Sequence, residues 1–336
     1  MLANLSLREW DLLIPYARST RLLAKLAIAI QDNGTSHSIP DQVSWHLNSA
    51  DLLAKSRQHR AKWEIDRIVY DLADPGIPLV LLKGSAYLML GLPVTHGRLY
   101  NDVDILVPEE RLPEVEATLR SSGWQFDEIS PHQERYCRRW LHELPAMNHP
   151  ERGTKLDVHH NIVPRIHSRK IDPELLFKKA QPVPGNDRLL TLSPTDIVLH
   201  SVIHLFRNGK YRNGLRDLVD LDGLLRHYAQ DTDFWTSLIE RARELNVTIS
   251  LFFACRYLRL FLETRIPDEV MDIVRQWQVP WPPLVVMDKL VKLAMLPPCV
   301  YECNSARKRA HWLLARYPLC LWKKTIIPKI ERLMGV

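Results

Sequence analysis

No uncharged apolar run in this 336-residue chain approaches the length needed to cross a bilayer, and Pro280, Pro282, Pro283, Pro297 and Pro298 interrupt its most hydrophobic late region. A transmembrane segment is not expected. Nor does the chain open with a basic segment, an apolar stretch and a small-residue cleavage site, because Arg8, Glu9 and Asp11 break up the first apolar residues. Secretion is not indicated. Cysteines number only five, Cys137, Cys255, Cys299, Cys303 and Cys320, an odd and scattered set that reads as reduced intracellular thiols rather than a disulfide framework. The one close pair, Cys299 and Cys303, offers half a zinc site at most, with no second Cys/His pair of suitable spacing nearby. Internal repeats and low-complexity segments are absent as well. These absences together predict a soluble cytoplasmic protein.

What is present is an ordinary globular composition, 46% apolar and 25% charged, on a chain long enough for two or three units with ample core. The formal charge of +6 is unevenly placed: from Ser305 to Val336, eight basic residues face a single acid, Glu331, a net of +7. Trp312, Tyr317 and Trp322 lie among those charges. Such a mixture suits an anionic surface or RNA, but a solvated helix packing its aromatic face on its own domain is the better reading.

The first 75 residues predict helices, since they show no strand alternation and 41–74 holds neither Gly nor Pro. Leu47, Leu52, Ile65, Ile68, Val69 and Leu72 recur there at helical spacing. Asp74-Pro75-Gly76 then punctuates the chain, and Ile77 to Leu82 reads as a strand buried on both faces. A short helix to about Leu90 should follow, then a strand through Asp102 and Asp104, then a helix from Pro108 to Ser121 opened by its proline. Further strands are expected at Trp124 to Ile129, around Tyr136 to Met147, and from Lys155 to Ile162, the last returning from a hairpin at Asn148 to Gly153. Arg165 to Arg188 reads as a proline-dotted linker with a short helical turn near Pro173 to Lys179. Helices dominate afterwards, beginning at Ser193-Pro194-Thr195-Asp196, which supplies a cap hydroxyl, a first-turn proline and a first-turn acid. The remainder are expected at Leu215 to Tyr228, Phe234 to Leu245, Thr248 to Glu263, Pro267 to Gln276, Leu284 to Ala294 and in the tail.

The chemistry-bearing residues are carboxylates. Asp102 and Asp104 stand at i and i+2 of a strand and so share a face, while Val103 and Ile105 turn the other way. Like charges held that close repel unless a cation sits between them, and a hard divalent metal suits oxygen ligands while leaving positions for water and phosphates. Asp157, with His159 on the same face of its own strand, could complete the metal site or accept the proton of an incoming hydroxyl. Gly84 and Ser85 lie at a strand-to-helix turn where backbone can approach a phosphate. Lys83 reads as a strand-end charge, and Arg98 as an ion-pair partner of an aspartate. His200 and His204 have zinc-binding spacing on a helix, but Ser201 replaces the glutamate of a metalloprotease motif. They are expected to pack on the sheet or line an acceptor pocket.

A hydrophobic strand, Lys83-Gly84-Ser85, a short helix and Asp102-Val103-Asp104-Ile105 resemble the nucleotidyltransferase superfamily related to DNA polymerase β. With Arg98, Leu156-Asp157-Val158-His159 and Leu192 to Asp196 through His204 to Arg216-Asp217, the stretch Ile77 to Leu225 resembles its uncharacterised nucleotidyltransferase family. The resemblance implies that Asp102, Asp104 and Asp157 hold Mg²⁺ or Mn²⁺, that Gly84 and Ser85 form the phosphate-binding turn, and that Lys83 and Arg98 contact the triphosphate. It implies an α+β protein whose small mixed-sheet core is flanked by helical regions: 1–75 helical, 76–165 the catalytic core, 166–336 a linker and C-terminal helical domain. The implied reaction moves a nucleoside monophosphate from an NTP such as ATP to a hydroxyl on a small molecule, peptide or saccharide. The alternatives are a toxin-like enzyme modifying RNA through its basic tail, a non-catalytic nucleotide-binding scaffold, and, more distantly, a D-x-D glycosyltransferase.

Overall fold

Local signals set the first helices. In the computed structural model, which describes residues 5–72, 76–165, 170–207, 213–277 and 283–295, helix α1 (Leu7–Ser19) opens with a reciprocal cap. Glu9 N–H donates to the Ser6 hydroxyl, and the Glu9 carboxylate accepts from Ser6 N–H at 2.7 Å. Helix α2 (Leu23–Asp32) follows, then the 31-residue α3 (Asp41–Asp71). Trp10, Ile14, Leu23, Ala27, Ile30, Val43 and Leu47 form one buried cluster. Ile65, Ile68 and Leu72 are also buried, but Leu52, expected on the same apolar face, is 67% exposed.

Two compact units emerge: one takes residues 52–200, the other 1–51 and 201–336, so the divisions fall inside α3 and inside a later helix. The 52–200 unit holds the sheet. Its elements are β1 (Leu79–Leu81), α4 (Lys83–Met89), β2 (Asp102–Leu106), α5 (Leu112–Ser121), β3 (Gln125–Phe126), α6 (Pro131–Trp140), β4 (Met147–His149), β5 (Thr154–His159), α7 (Glu174–Phe177), β6 (Gln181–Val183) and β7 (Asn186–Thr191). The seven strands lie in the order β3-β4-β5-β2-β1-β7-β6. Parallel pairing joins β2 to β5 and β1 to β7, and the remaining pairs are antiparallel, giving a mixed sheet. Central strands with buried residues on both faces, such as Leu79 to Leu81, explain the continuous apolar run in the sequence.

Two elements differ from their sequence expectations. The strand expected near Tyr136 is α6, which Ser130 caps by accepting from Gln133 N–H at 3.2 Å, with Pro131 in the first turn and Arg138 and Arg139 in the last. The linker expected from Arg165 to Arg188 contains β6 and the first half of β7, a hairpin turning at Gly185 (φ +79°), and β7 extends the sheet directly beside β1. Only Val183, Leu189 and Thr191 are buried in it, so its hydrophobic signal is thin.

The other unit is helical. Helix α8 (Pro194–Phe206), begun by Ser193 Oγ accepting from Asp196 N–H at 3.3 Å, is followed by α9 (Gly214–Tyr228), α10 (Phe234–Glu244), α11 (Thr248–Leu262), α12 (Asp268–Arg275) and α13 (Pro283–Met295). Within the unit, Phe253, Tyr257 and Phe261 stack in succession, and Phe206 stacks on Tyr257 at 5.8 Å. Lys25 pairs with Asp220 at 3.4 Å, and Arg216 with Asp217. The molecule is thus α+β, a mixed sheet with helical regions before and after it in the chain. No helix among the described residues is long and apolar enough to cross a membrane. The basic tail and Cys299, Cys303 and Cys320 lie outside the described residues.

Candidate active site

The site begins with a register. Strands β2 and β5 run parallel with Asp104 opposite Asp157 and Leu106 opposite His159, so alternation sends Asp104, Asp157 and His159 to one face. Ligand atoms of these three side chains all lie within 4.8 Å of one another. Asp104 is only 4% exposed, and a buried carboxylate must find partners. It has two: Lys83 Nζ at 2.6 Å and His159 Nε2 at 3.2 Å.

Lys83 reaches it from the first position of α4, where its backbone takes the left-handed φ of +46°, an uncommon conformation for a side chain with a Cβ. Burial disfavours the ammonium, yet Asp104, Glu143 and Asp157 around it raise its pKa above the usual lysine value. Burial likewise opposes ionisation of Asp104, but the Lys83 charge and the His159 bond hold its carboxyl well below the ordinary range. Asp157 goes the other way. Burial first, and then the Asp104 charge, push its carboxyl up to about 7. Two facing carboxylates, one pushed by burial and by the charge of the other to keep its proton, form an oxygen pair whose mutual repulsion a divalent cation would relieve. The donor set therefore fits a hard metal.

Asp102 is placed differently. It is exposed at the start of β2 and lines a cavity of about 120 Å³ with Arg57, Arg60, Tyr100, Asn101, Gly153 and Thr154 among its walls. Arg57 bonds Asn101 there. Asp102 shares the strand face of Asp104 but is not in the close group formed by Asp104, Asp157 and His159.

Gly84 and Ser85 are both buried. Ser85 Oγ accepts from the Asp104 backbone N–H at 3.2 Å, tying α4 to β2. Gly84 makes room for a cation: a Cβ built there would overlap the Arg98 guanidinium. Arg98, 8% exposed, lies 5.7 Å and 5.0 Å from the ring centroids of Tyr87 and Tyr100.

Sequence reasoning missed His142 and Glu143. They follow α6, and Glu143 Oε2 approaches His159 Nδ1 at 3.3 Å and His142 Nε2 at 3.9 Å. Only the mixture of His and Glu just upstream of β4 hinted at them, since residue 143 meets residue 159 through an isolated bridge between distant segments. His200 is buried in this unit, and burial, with Lys83 and His159 nearby, holds its imidazole well below the ordinary histidine range. His160 turns away toward Glu109, at 3.4 Å. His204 faces Asp217 at 3.8 Å in the helical unit.

A family model described as an uncharacterised nucleotidyltransferase matches residues 6–263. The chain belongs to that family. Neither a curated protein nor a solved structure matches it. The match reaches well beyond the stretch 77–225 that carries the motif, taking in α1 to α3, the whole sheet and the helices through α11. Membership supports nucleotidyl transfer as its general activity and an NTP as its substrate. Nucleotidyltransferases generally use divalent metals, and the acidic and histidine groups described above could hold one.

Proposed function

We propose that this nucleotidyltransferase is a Mg²⁺- or Mn²⁺-dependent enzyme that transfers a nucleoside monophosphate from an NTP to a hydroxyl-bearing acceptor. A bond forms between the acceptor oxygen and the α-phosphorus, the bond to the β-phosphate oxygen breaks, and pyrophosphate leaves. The observation that carries this reading is Asp104 facing Asp157 in register on paired parallel strands, buried, with Lys83 beside them.

In this proposal Asp104 and Asp157 hold the metal, with Asp102 joining from the exposed end of β2 where the triphosphate enters. A bound divalent ion supplies charge neutralisation and polarisation of the phosphoryl oxygens. Lys83 keeps Asp104 ionised and in place, and with Arg98 it forms a pair of cations bracketing Gly84 and Ser85, the proposed seat of the triphosphate. Asp157, whose carboxyl burial and the Asp104 charge raise to about 7 in the metal-free protein, would give up that proton as the ion binds. The catalytic core runs from residue 76 and includes the β6–β7 hairpin, since β7 flanks β1.

The test uses NTPs labelled at the α-phosphate, incubated with cell extract and either metal. Wild-type protein should deposit label on an acceptor and release pyrophosphate. Asp104→Asn and Asp157→Asn should lower both by roughly a thousandfold, the scale on which loss of a charge-stabilising group at the reacting centre is felt. Equal labelling by all three proteins would remove Asp104 and Asp157 from the reaction.

A further inference from the structure

Beside the aspartates lies a group with a different chemistry. The segment after α6 runs against the end of β5 through backbone bonds: Leu144 N–H donates to Val158 O at 2.8 Å, and His160 N–H to His142 O at 2.9 Å. That pairing fixes His142 and Glu143 next to His159 without help from a ligand. His142 and His159 are 5% and 0% exposed, while the Glu143 side chain keeps 19% of its surface. Ligand atoms of all three lie within 4.8 Å of one another.

The two nitrogens of His159 have separate partners. His159 Nε2 lies 3.2 Å from Asp104 Oδ1. The other ring nitrogen is Nδ1. It is buried, makes no hydrogen bond, and is approached at 3.3 Å by Glu143 Oε2. An imidazole nitrogen and a carboxylate oxygen at that distance can share a cation. For metal–ligand bonds of about 2.0–2.1 Å, tetrahedral geometry sets ligands about 3.3 Å apart, which His159 Nδ1 and Glu143 Oε2 match at 3.3 Å and His142 Nε2 exceeds at 3.9 Å from Glu143 Oε2. A metal-ligating histidine also characteristically turns its other ring nitrogen to a carboxylate, and His159 Nε2 lies so placed against Asp104.

We propose that His142, Glu143 and His159 form a second cation site that takes a borderline transition-metal ion, such as Zn²⁺ or Co²⁺, through two imidazole nitrogens and one carboxylate. The site differs in kind from the all-oxygen Asp104–Asp157 pair, which suits Mg²⁺. Through His159 it positions Asp104, so it is a positioning site adjoining the proposed reaction centre and goes beyond the proposed transfer activity.

The experiment is a titration of chelator-stripped full-length protein with Co²⁺ in the absence of nucleotide, read by visible absorption and elemental analysis. One equivalent should bind with an N/O-type spectrum, be displaced by Zn²⁺, and resist a large excess of Mg²⁺. His142→Gln and, separately, Glu143→Gln should each weaken binding by about tenfold or more. Melting of the stripped variants checks the fold, and Glu143→Gln, on the partly exposed side chain, decides the matter should His142→Gln not fold. Failure of the wild type to bind Co²⁺, unchanged affinity in the folded variants, or a thiolate charge-transfer spectrum unaffected by them would each overturn the site. Asp157→Asn separates the two readings, because it should abolish label transfer while leaving the Co²⁺ spectrum intact.

Discussion

Single residues carry most of the chemistry, and their readability differed with how local their partners are. The alternation that puts Asp102 with Asp104, and Asp157 with His159, is a property of strands and can be read along the chain. Gly84 illustrates the limit. Its place at the strand-to-helix turn was legible, but the atoms that forbid a side chain there belong to Arg98, fourteen positions away and held between Tyr87 and Tyr100. Gly84→Ala should therefore force the guanidinium out of its slot, at a cost of about 1–3 kcal/mol, the usual scale for overpacking. Chemical denaturation would show it as a lower midpoint at unchanged slope. Arg98→Ala in the same background should recover part of the loss, because the clash goes with the guanidinium. A Gly84→Ala protein as stable as wild type would mean that Arg98 has a second place to go.

At the scale of elements, periodicity located the helices well and the sheet unevenly. Tyr136 to Trp140 is helical because a Ser130–Gln133 cap and a first-turn proline precede a charged stretch; those terminal signals decide against the strand expected there. The β6–β7 hairpin was passed over because a short strand with few inward residues has little hydrophobic pattern, and its parallel pairing with β1 is not encoded nearby. His142 and Glu143 were missed for the same reason: their partner strand follows an intervening hairpin. One long-range tie tests how elements hold the site. Glu64, on α3 and fully buried, accepts from Arg152 Nε at 2.9 Å and from the Thr154 hydroxyl at 2.9 Å, fastening that helix to the start of β5. Glu64→Ala leaves a guanidinium and a buried hydroxyl without their acceptor, which should cost roughly 3–5 kcal/mol. Hydrogen exchange should then speed up first in β5 and its turn. Uniform exchange throughout the chain would show instead that Glu64 acts only on global stability.

For the whole molecule, stability and ion binding are linked through Asp157. The chain order could show that helices flank a sheet, but which buried carboxylate keeps its proton depends on the three-dimensional packing of Lys83, Asp104 and Glu143 around it. An acid whose pKa is about 7 when folded, against an ordinary 3.8, binds more protons folded than unfolded between those values. Its contribution to the stability of the chelated protein is therefore fully present below the lower value, declines as pH rises through that window, and is flat above it. Asp157→Asn should remove that decline, so the variant's advantage over wild type should grow as pH rises toward 8 and shrink toward 4. A divalent ion bound between Asp104 and Asp157 reverses the trend, since it takes the place of the proton. Calorimetric melting in Mg²⁺ or Mn²⁺ should then give wild type a larger gain above neutrality than below it, approaching about 2.7 kcal/mol at a hundredfold excess over the dissociation constant. Asp157→Asn should gain far less at any pH. If chelated wild type and variant ran parallel across the whole range, Asp157 would not be the buried acid facing the metal, and the proposed pairing with Asp104 would fail with it.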